Sequence, residues 1–336
     1  MNTPVYRHVF RPATLADLPA LADLDASHTR RATGRAQRTE GEIAIEWRAP
    51  TFDPARDSQI AQTSSGAVVG WAEVYDSAPH VRLASRLRLD PDKAEENVAA
   101  ALVSWCIERA QRSVKQAPDS ARVCLTQSAY AADRTALGRL ERAGFSYARS
   151  FLRMRAEFEE APQAPTWPNG VSIRSFIRGQ DDVPAVEAMR EAFRDHWGYV
   201  DCPLAEDVEE WRQWIYEDEE FDTDLWFLAE VDQEIVGFCQ CYPFSGEDRT
   251  TGLIDELGVR RDWRRRGLAT ALLRHAFRAF WARGNRAVEL GVDSDSLTGA
   301  TRVYERAGMT NIWENRMYEL ELRPGIEKGT TDVREE

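Results

Sequence analysis

The chain has 336 residues, 43% of them apolar, which is enough for two domains with a core each. No apolar run reaches the roughly 18 to 20 residues of a membrane span, and the first residues lack the basic-then-apolar order of a signal peptide, so a cytoplasmic protein with no membrane partner is expected. The net charge of −13 belongs to the second half: residues 1–160 hold 22 Lys and Arg against 21 Asp and Glu, residues 161–336 hold 21 against 35, and no basic groove for nucleic acid is legible.

In chain order, residues 6–11 read as a strand that leads into a helix opened by Asp17, Leu18, Pro19 and Ala20, where Pro suits the first turn. A variable helical region follows, then a hairpin whose second strand carries Val69 and Gly70. Next come a strand, a turn, a helix, a further strand, a short helix ending at Ala143 and Gly144, and a closing strand. Residues 161–170, with three Pro and one Gly, read as a linker.

The same order then restarts. Residues 171–176 are the strand, Asp182, Val183, Pro184 and Ala185 open the helix, and Val236 and Gly237 repeat Val69 and Gly70. Glu305, Arg306, Ala307 and Gly308 repeat Glu141, Arg142, Ala143 and Gly144, and residues 316–322 close the copy. The offset stays near 165 residues, as expected of a duplicated domain. The predicted layout is a domain over 1–160, a linker over 161–170, a second domain over 171–324 and a frayed polar tail over 325–336. Five Cys show no C-x-x-C spacing, and no metal is expected; Cys239 and Cys241, two apart on a strand, share a face and read as core.

Within the second copy, apolar Ile254, Leu257 and Val259 precede a basic turn, and Leu268, Leu272, Ala276 and Phe280 then fall on one helical face. A helix N-terminus leaves about four backbone N–H groups unpaired and carries roughly half a positive charge, so a phosphate fits there. Gly267 lets the backbone approach closely and Arg264, Arg265 and Arg266 add charge. The bland alternative is an ordinary turn with a solvated Arg cluster.

Arg264, Arg265, Arg266, Gly267, Leu268 and Ala269 fit the Arg/Gln-x-x-Gly-x-Gly/Ala pyrophosphate signature of the GNAT superfamily of acyl-CoA-dependent N-acetyltransferases, which this chain resembles. Residues 254–259 resemble that family's fourth strand, residues 288–292 its fifth, and residues 298–309 the helix that follows. Two copies with the second intact resemble tandem members such as the mycothiol synthase group, over roughly residues 5–323. The resemblance implies an α/β (mixed) tandem duplication, each copy with a central, mostly antiparallel mixed sheet flanked by helices. It also implies acetyl-CoA as donor, a small-molecule amine as acceptor, and direct transfer through a ternary complex.

The first copy can be read against the second. Opposite Arg264 to Ala269 stand Ala94, Glu95, Glu96, Asn97, Val98 and Ala99, whose carboxylates would repel a pyrophosphate. Leu140 stands opposite Tyr304, and Ser85 and Arg86 opposite Asp255 and Glu256. The first copy is therefore expected to keep the fold without the chemistry, to pack on the second and to wall off the acceptor.

Attack of a neutral amine on a thioester needs a base, a stabiliser for the oxyanion and a partner for the leaving thiolate. Asp255 and Glu256 are the candidate bases, with Asp255 favoured because simple alternation puts it on the face of Leu257 and Val259; a bulge would reverse that choice, and water is a further route. By the resemblance, backbone of Leu257, Gly258 and Val259 faces the thioester, with Gly258 easing a bulge, and Tyr304 serves the departing sulfur. Leu268, Ala269 and Thr270 complete the cofactor set with Ser296, which stands where relatives have Asn and either caps the helix or touches the cofactor. His196, Trp197 and Tyr199 are acceptor candidates, beside an acidic, Trp-rich stretch containing Trp211 and Trp214 whose alternative role is core. The rival reading is a non-catalytic acyl-CoA-binding sensor; a monomer and a homodimer are both compatible with the sequence.

Overall fold

Each half of the chain opens with the same device. Arg11, on the first strand, donates to Asp17 at the mouth of the first helix (2.6 Å), and Arg174 donates to Asp181 in the same way (2.6 Å). The acid that repeats Asp17 is thus Asp181, one residue before the Asp182 expected. The computed structural model of the chain describes residues 8–218, 220–296 and 298–330, so Tyr6 and Arg7 of the expected first strand, Leu297, and residues 331–336 of the expected tail lie outside the described residues.

The first half contains strands β1 (His8–Arg11), β2 (Ser58–Thr63), β3 (Val68–Tyr75), β4 (Arg82–Leu89), β5 (Val123–Tyr130) and β6 (Ser146–Glu157), with helices α1 (Leu18–Thr33), α2 (Glu40–Arg48), α3 (Pro54–Asp57), α4 (Glu96–Ser113) and α5 (Arg134–Arg142). The second contains β7 (Ser172–Ser175), β8 (Trp226–Val231), β9 (Glu234–Tyr242), β10 (Thr251–Val259), β11 (Ala287–Asp293) and β12 (Thr310–Arg323), with α6 (Asp182–Phe193), α7 (Leu204–Glu217), α8 (Leu268–Ala282) and α9 (Ala300–Arg306).

The compact units do not coincide with these halves, because each half gives its last strand away. One unit comprises residues 1–149 with 315–328, the other residues 150–314 with the chain end. In the first unit the strand order is β1-β2-β3-β4-β5-β12, and β12 pairs antiparallel with β5. In the second it is β7-β8-β9-β10-β11-β6, and β6 pairs antiparallel with β11. Within each unit one pair of described strands runs parallel, β4 with β5 and β10 with β11.

The second unit buries both faces of its sheet. Alternation along β8 and β9 sends Phe227, Cys239 and Cys241 to the side packed by Leu268, Leu272, Ala276 and Phe280 of α8. Trp226, Leu228 and Phe238 go to the other side, against Ala185, Ala188 and Ala192 of α6 and Ile215 of α7. The two thiols lie 3.6 Å apart and fully buried, as their spacing predicts.

Two segments expected to be loose are packed. In the stretch 161–170, Trp167 lies against the α8-side core, 5.7 Å from the His275 ring, and Pro162 O accepts from Arg278 (3.0 Å). At the chain end, Ile326 N–H donates to Ser120 O (2.7 Å) and Arg122 N–H to Ile326 O (2.9 Å). Thr330 exchanges backbone bonds with Gly198 and Tyr199 (2.9 and 2.8 Å). Backbone pairing, invisible in a polar composition, orders the described part of the tail.

Candidate active site

The pairing of β10 with β11 ends early. It runs from Thr251 opposite Ala287 to Ile254 opposite Leu290, whereas β10 continues to Val259 and β11 to Asp293. The strands part there. Arg260 N–H donates to Val236 O (3.0 Å), so in the antiparallel register 256, 258 and 260 exchange bonds with β9. The N–H groups of Leu257 and Val259 therefore point to the other side, into the gap.

The register on β9 also slips at Asp255: Ile254 opposes Cys241 and Glu256 opposes Gln240. Asp255 is the extra residue of a bulge. Ile254, Leu257 and Val259 all pack on the α8 side, so Asp255 does not share their face by alternation and the parity argument for it fails. Gly258 does not serve the bulge three residues away. A Cβ there would meet the Phe238 ring at 2.2 Å and Ala192 at 3.1 Å, so Gly258 lets α6 close on the sheet.

Glu256 Oε2 is buried and has no hydrogen-bond partner among the described residues. Burial first, and the neighbouring Asp255 second, push its pKa up to about 8. Asp255 is open to solvent, yet many protein atoms surround it. That burial raises its pKa, Arg153 partly offsets the rise and Asp218 adds to it. Tyr304, only 7% exposed, lies in the α8-side core near Cys239; burial and then Cys239 raise its pKa, and its hydroxyl makes no hydrogen bond among the described residues.

Beyond Val259 the turn is built to leave amides bare. Arg265 has φ +59° and Gly267 φ +84°, and the first helical bond of α8 is Ala271 N–H to Gly267 O (3.0 Å). The six N–H groups of residues 265–270 have no acceptor among the described residues, the arrangement that suits a phosphate group. Arg265 and Arg266 are exposed at its rim, Arg266 lying 4.7 Å over Trp263. Arg264 differs: it grips the Asp195 carboxylate, Ala192 O (2.8 Å) and Val259 O (3.3 Å). Its guanidinium fastens the turn to the end of α6. Ser296 does not cap α9, whose N-cap is Gly299; it is half-buried and its hydroxyl bonds that of Thr298 (2.9 Å).

The first unit keeps the frame and fills it. Its β4 and β5 also part, after Ser85 opposite Gln127. In that gap the His28 imidazole lies 3.4 Å from Leu89 N and 3.3 Å from Leu89 O, and burial holds its pKa down to about 4. The turn before α4 takes up part of its own donors: Ala94, Val98 and Ala99 N–H groups donate to Asp90 O, Glu95 O and Glu95 O, and Glu96 is held by Arg139 and Arg142. Arg86, in the place of Glu256, is clasped by Glu46 (2.5 Å) and Glu73 (3.4 Å), and Trp47 donates to Glu73 (2.7 Å).

Of the acceptor candidates, His196 is exposed and lies tilted against the Phe193 ring with centroids 4.7 Å apart, Trp197 is half-buried, and Tyr199 bonds Asp201 (3.1 Å). Trp211 is half-buried and packs against the core on Phe176 and Trp226, while Trp214 is 38% exposed. Four residues around the site were not singled out from the sequence: Asp195, Asp218, Tyr242 and Arg153. Asp195 follows α6 directly and could have been suspected as an Arg partner. Arg153 arrives on a strand from the other half, which no local pattern announces. Among the described residues no group of His, Cys, Asp and Glu could hold a metal.

This sheet, its parted strands and its amide-lined turn define the class, an N-acetyltransferase of mixed α/β architecture. A match to the Acetyltransferase (GNAT) family spans residues 186–309. A GCN5-related N-acetyltransferase from Sphaerobacter thermophilus is 32% identical, with a TM-score of 0.78 over 97% of this chain and 99% of that one. The mycothiol acetyltransferase of Streptomyces coelicolor is 27% identical over 93% of this chain and 97% of its own length. A tandem GNAT protein from the clavulanic acid biosynthesis pathway, 17% identical, shares the fold with a TM-score of 0.70 over 94% and 99% of the two chains. The chain belongs to the GCN5-related N-acetyltransferase family, in its tandem form.

Proposed function

We propose that the second unit transfers the acetyl group of acetyl-CoA to the amine of a small molecule by direct attack in a ternary complex, and that the first unit is non-catalytic. The observation that supports this reading best is the parting of β10 from β11 beside Glu256. It leaves a slot with N–H donors on one wall and an unpartnered carboxylate at its edge. The donor supplies a thioester; the amides of residues 265–270 and the rims of Arg265 and Arg266 would hold its phosphates. Leu257 or Val259 N–H would stabilise negative charge developing on the acyl oxygen.

Glu256 is assigned as the base that takes the amine proton, because a carboxylate with pKa near 8 is a far stronger base than an ordinary one and is ionised to a growing extent as pH rises toward and past 8. Asp255, its open neighbour, would hold the incoming ammonium. Tyr304 would hydrogen-bond the departing sulfur, its raised pKa keeping the phenol protonated. Arg264 would act on the donor only by holding the turn in place. The relatives named for mycothiol make a small-molecule acceptor the preferred class.

The test is thiol release from acetyl-CoA across an amine panel, with CoA binding followed separately. Turnover dependent on both acetyl-CoA and an amine, lost in Glu256→Gln with CoA affinity kept, supports the reading. CoA binding without turnover of any amine would favour the non-catalytic sensor.

A further inference from the structure

In the second unit the lining of an open cleft of about 460 Å³ includes Arg178, Glu220, Phe221, Asp222, Phe244 and Arg249, with the Asp222 carboxylate already paired to Arg283. Its two cations lie on aromatic faces. Arg178 sits 5.0 Å from the Tyr216 ring and 4.9 Å from Phe221, and Arg249 sits 4.3 Å over Phe244. The Tyr216 platform is itself fixed: its hydroxyl donates to the Asp182 carboxylate (2.7 Å) and accepts from Gly179 N–H (2.9 Å).

Arg249 donates to Glu220 (2.9 Å), whereas Arg178 makes no hydrogen bond or salt bridge among the described residues. A guanidinium stacked on rings is occupied on its face and keeps its N–H edge for a planar or tetrahedral oxyanion. Such a cation is out of character in a half of the chain whose acids outnumber its bases by 35 to 21.

The cleft adjoins the reacting groups. Asp218 feels the charge of Arg178, and the same Asp218 acts on both Tyr242 and Asp255. Pro243, next to Tyr242, is part of the cleft wall.

We propose that this cleft is a subsite for an oxyanion carried by the acceptor, a carboxylate or a phosphate ester remote from the reacting amine, with Arg178 as its principal contact. The acceptor is then an amine at the Asp255 and Glu256 end and an anion at the other. This assignment rests on the acetyl-transfer reading above. Arg249 contributes field and a second N–H edge once Glu220 shares it.

The experiment uses the full chain with acetyl-CoA and acceptor pairs that differ only in the anion: glucosamine 6-phosphate against glucosamine, and 4-aminobutyrate against 4-aminobutyramide. The anionic member of at least one pair is expected to have a kcat/KM about tenfold or more above its partner, mostly through KM. Arg178→Met, with its melting temperature checked, should bring that ratio to about one, and Arg178→Lys should restore part of it. The pair that responds tells phosphate from carboxylate. A ratio near one in the natural protein, or one that survives Arg178→Met, overturns the proposal. If no amine is acetylated at all, the acetyl-transfer reading fails and titration with glucose 6-phosphate and butyrate decides the subsite alone. Binding lost in Arg178→Met upholds it, and no binding overturns it.

Discussion

Glu256 shows how far a single residue can be read from sequence. That a carboxylate on this strand matters follows from the motif around it; which carboxylate depends on a bulge that no side-chain pattern encodes, since Asp255 and Glu256 differ by one position in register. With a pKa near 8, Glu256 in its proposed role as base would tie catalysis and stability to pH in opposite senses. As a base it must be ionised, so kcat/KM should rise about tenfold per pH unit below 8 and level off above it. As a buried group whose folded pKa lies above its unfolded one, it favours the fold when protonated. That contribution is complete below about pH 4 and is lost as pH rises through 8. Glu256→Gln should therefore lower kcat by about 10² to 10⁴-fold and yet raise the melting temperature above pH 8, with little effect at pH 4. An unchanged melting temperature at pH 9 would argue against a buried, strained carboxylate.

At the scale of an element, the turn between β10 and α8 was the most legible feature, because Gly267 and the basic residues before it state the requirement for a left-handed, anion-facing backbone. The use of Arg264 was not legible: its partner Asp195 lies 69 residues away in sequence, and only packing of α6 brings the two together. Gly267→Ala should cost about 1 to 2 kcal/mol through its φ of +84° and weaken CoA by isothermal titration. Gly267→Glu should weaken CoA by at least tenfold more, since it adds a carboxylate where phosphate is to sit. The same titration on Glu96→Ala should show no change, because Glu95 stays at that turn and its carbonyl already takes the Val98 and Ala99 amides. A comparable loss of CoA affinity in Glu96→Ala would mean that the first unit binds the donor too.

Duplication was legible in the whole chain, from three ordered pairs of motifs at one offset, and so was the asymmetry between the copies. The exchange of final strands was not, since β6 and β12 carry ordinary strand patterns and pairing partners are chosen by tertiary contacts. This exchange has energetic consequences for the second unit. All seven residues of β11 pair with β6, from Ala287 opposite Glu157 to Asp293 opposite Phe151. Fully buried Glu289 receives Arg153 at 3.1 Å and Arg155 at 2.8 Å from that strand. Cutting the chain in residues 161–170, where composition suggests a linker, would strip Glu289 of both arginines. Loss of a partner from a buried pair costs about 3 to 5 kcal/mol, a large part of a domain's usual 5 to 15 kcal/mol. A fragment of residues 161–330 should show no cooperative melting transition and no CoA binding, whereas residues 146–330 should regain the transition in circular dichroism. If the two fragments melted alike, β6 would be dispensable to the second unit, and the dependence of that unit on the first half of the chain would have to be sought elsewhere.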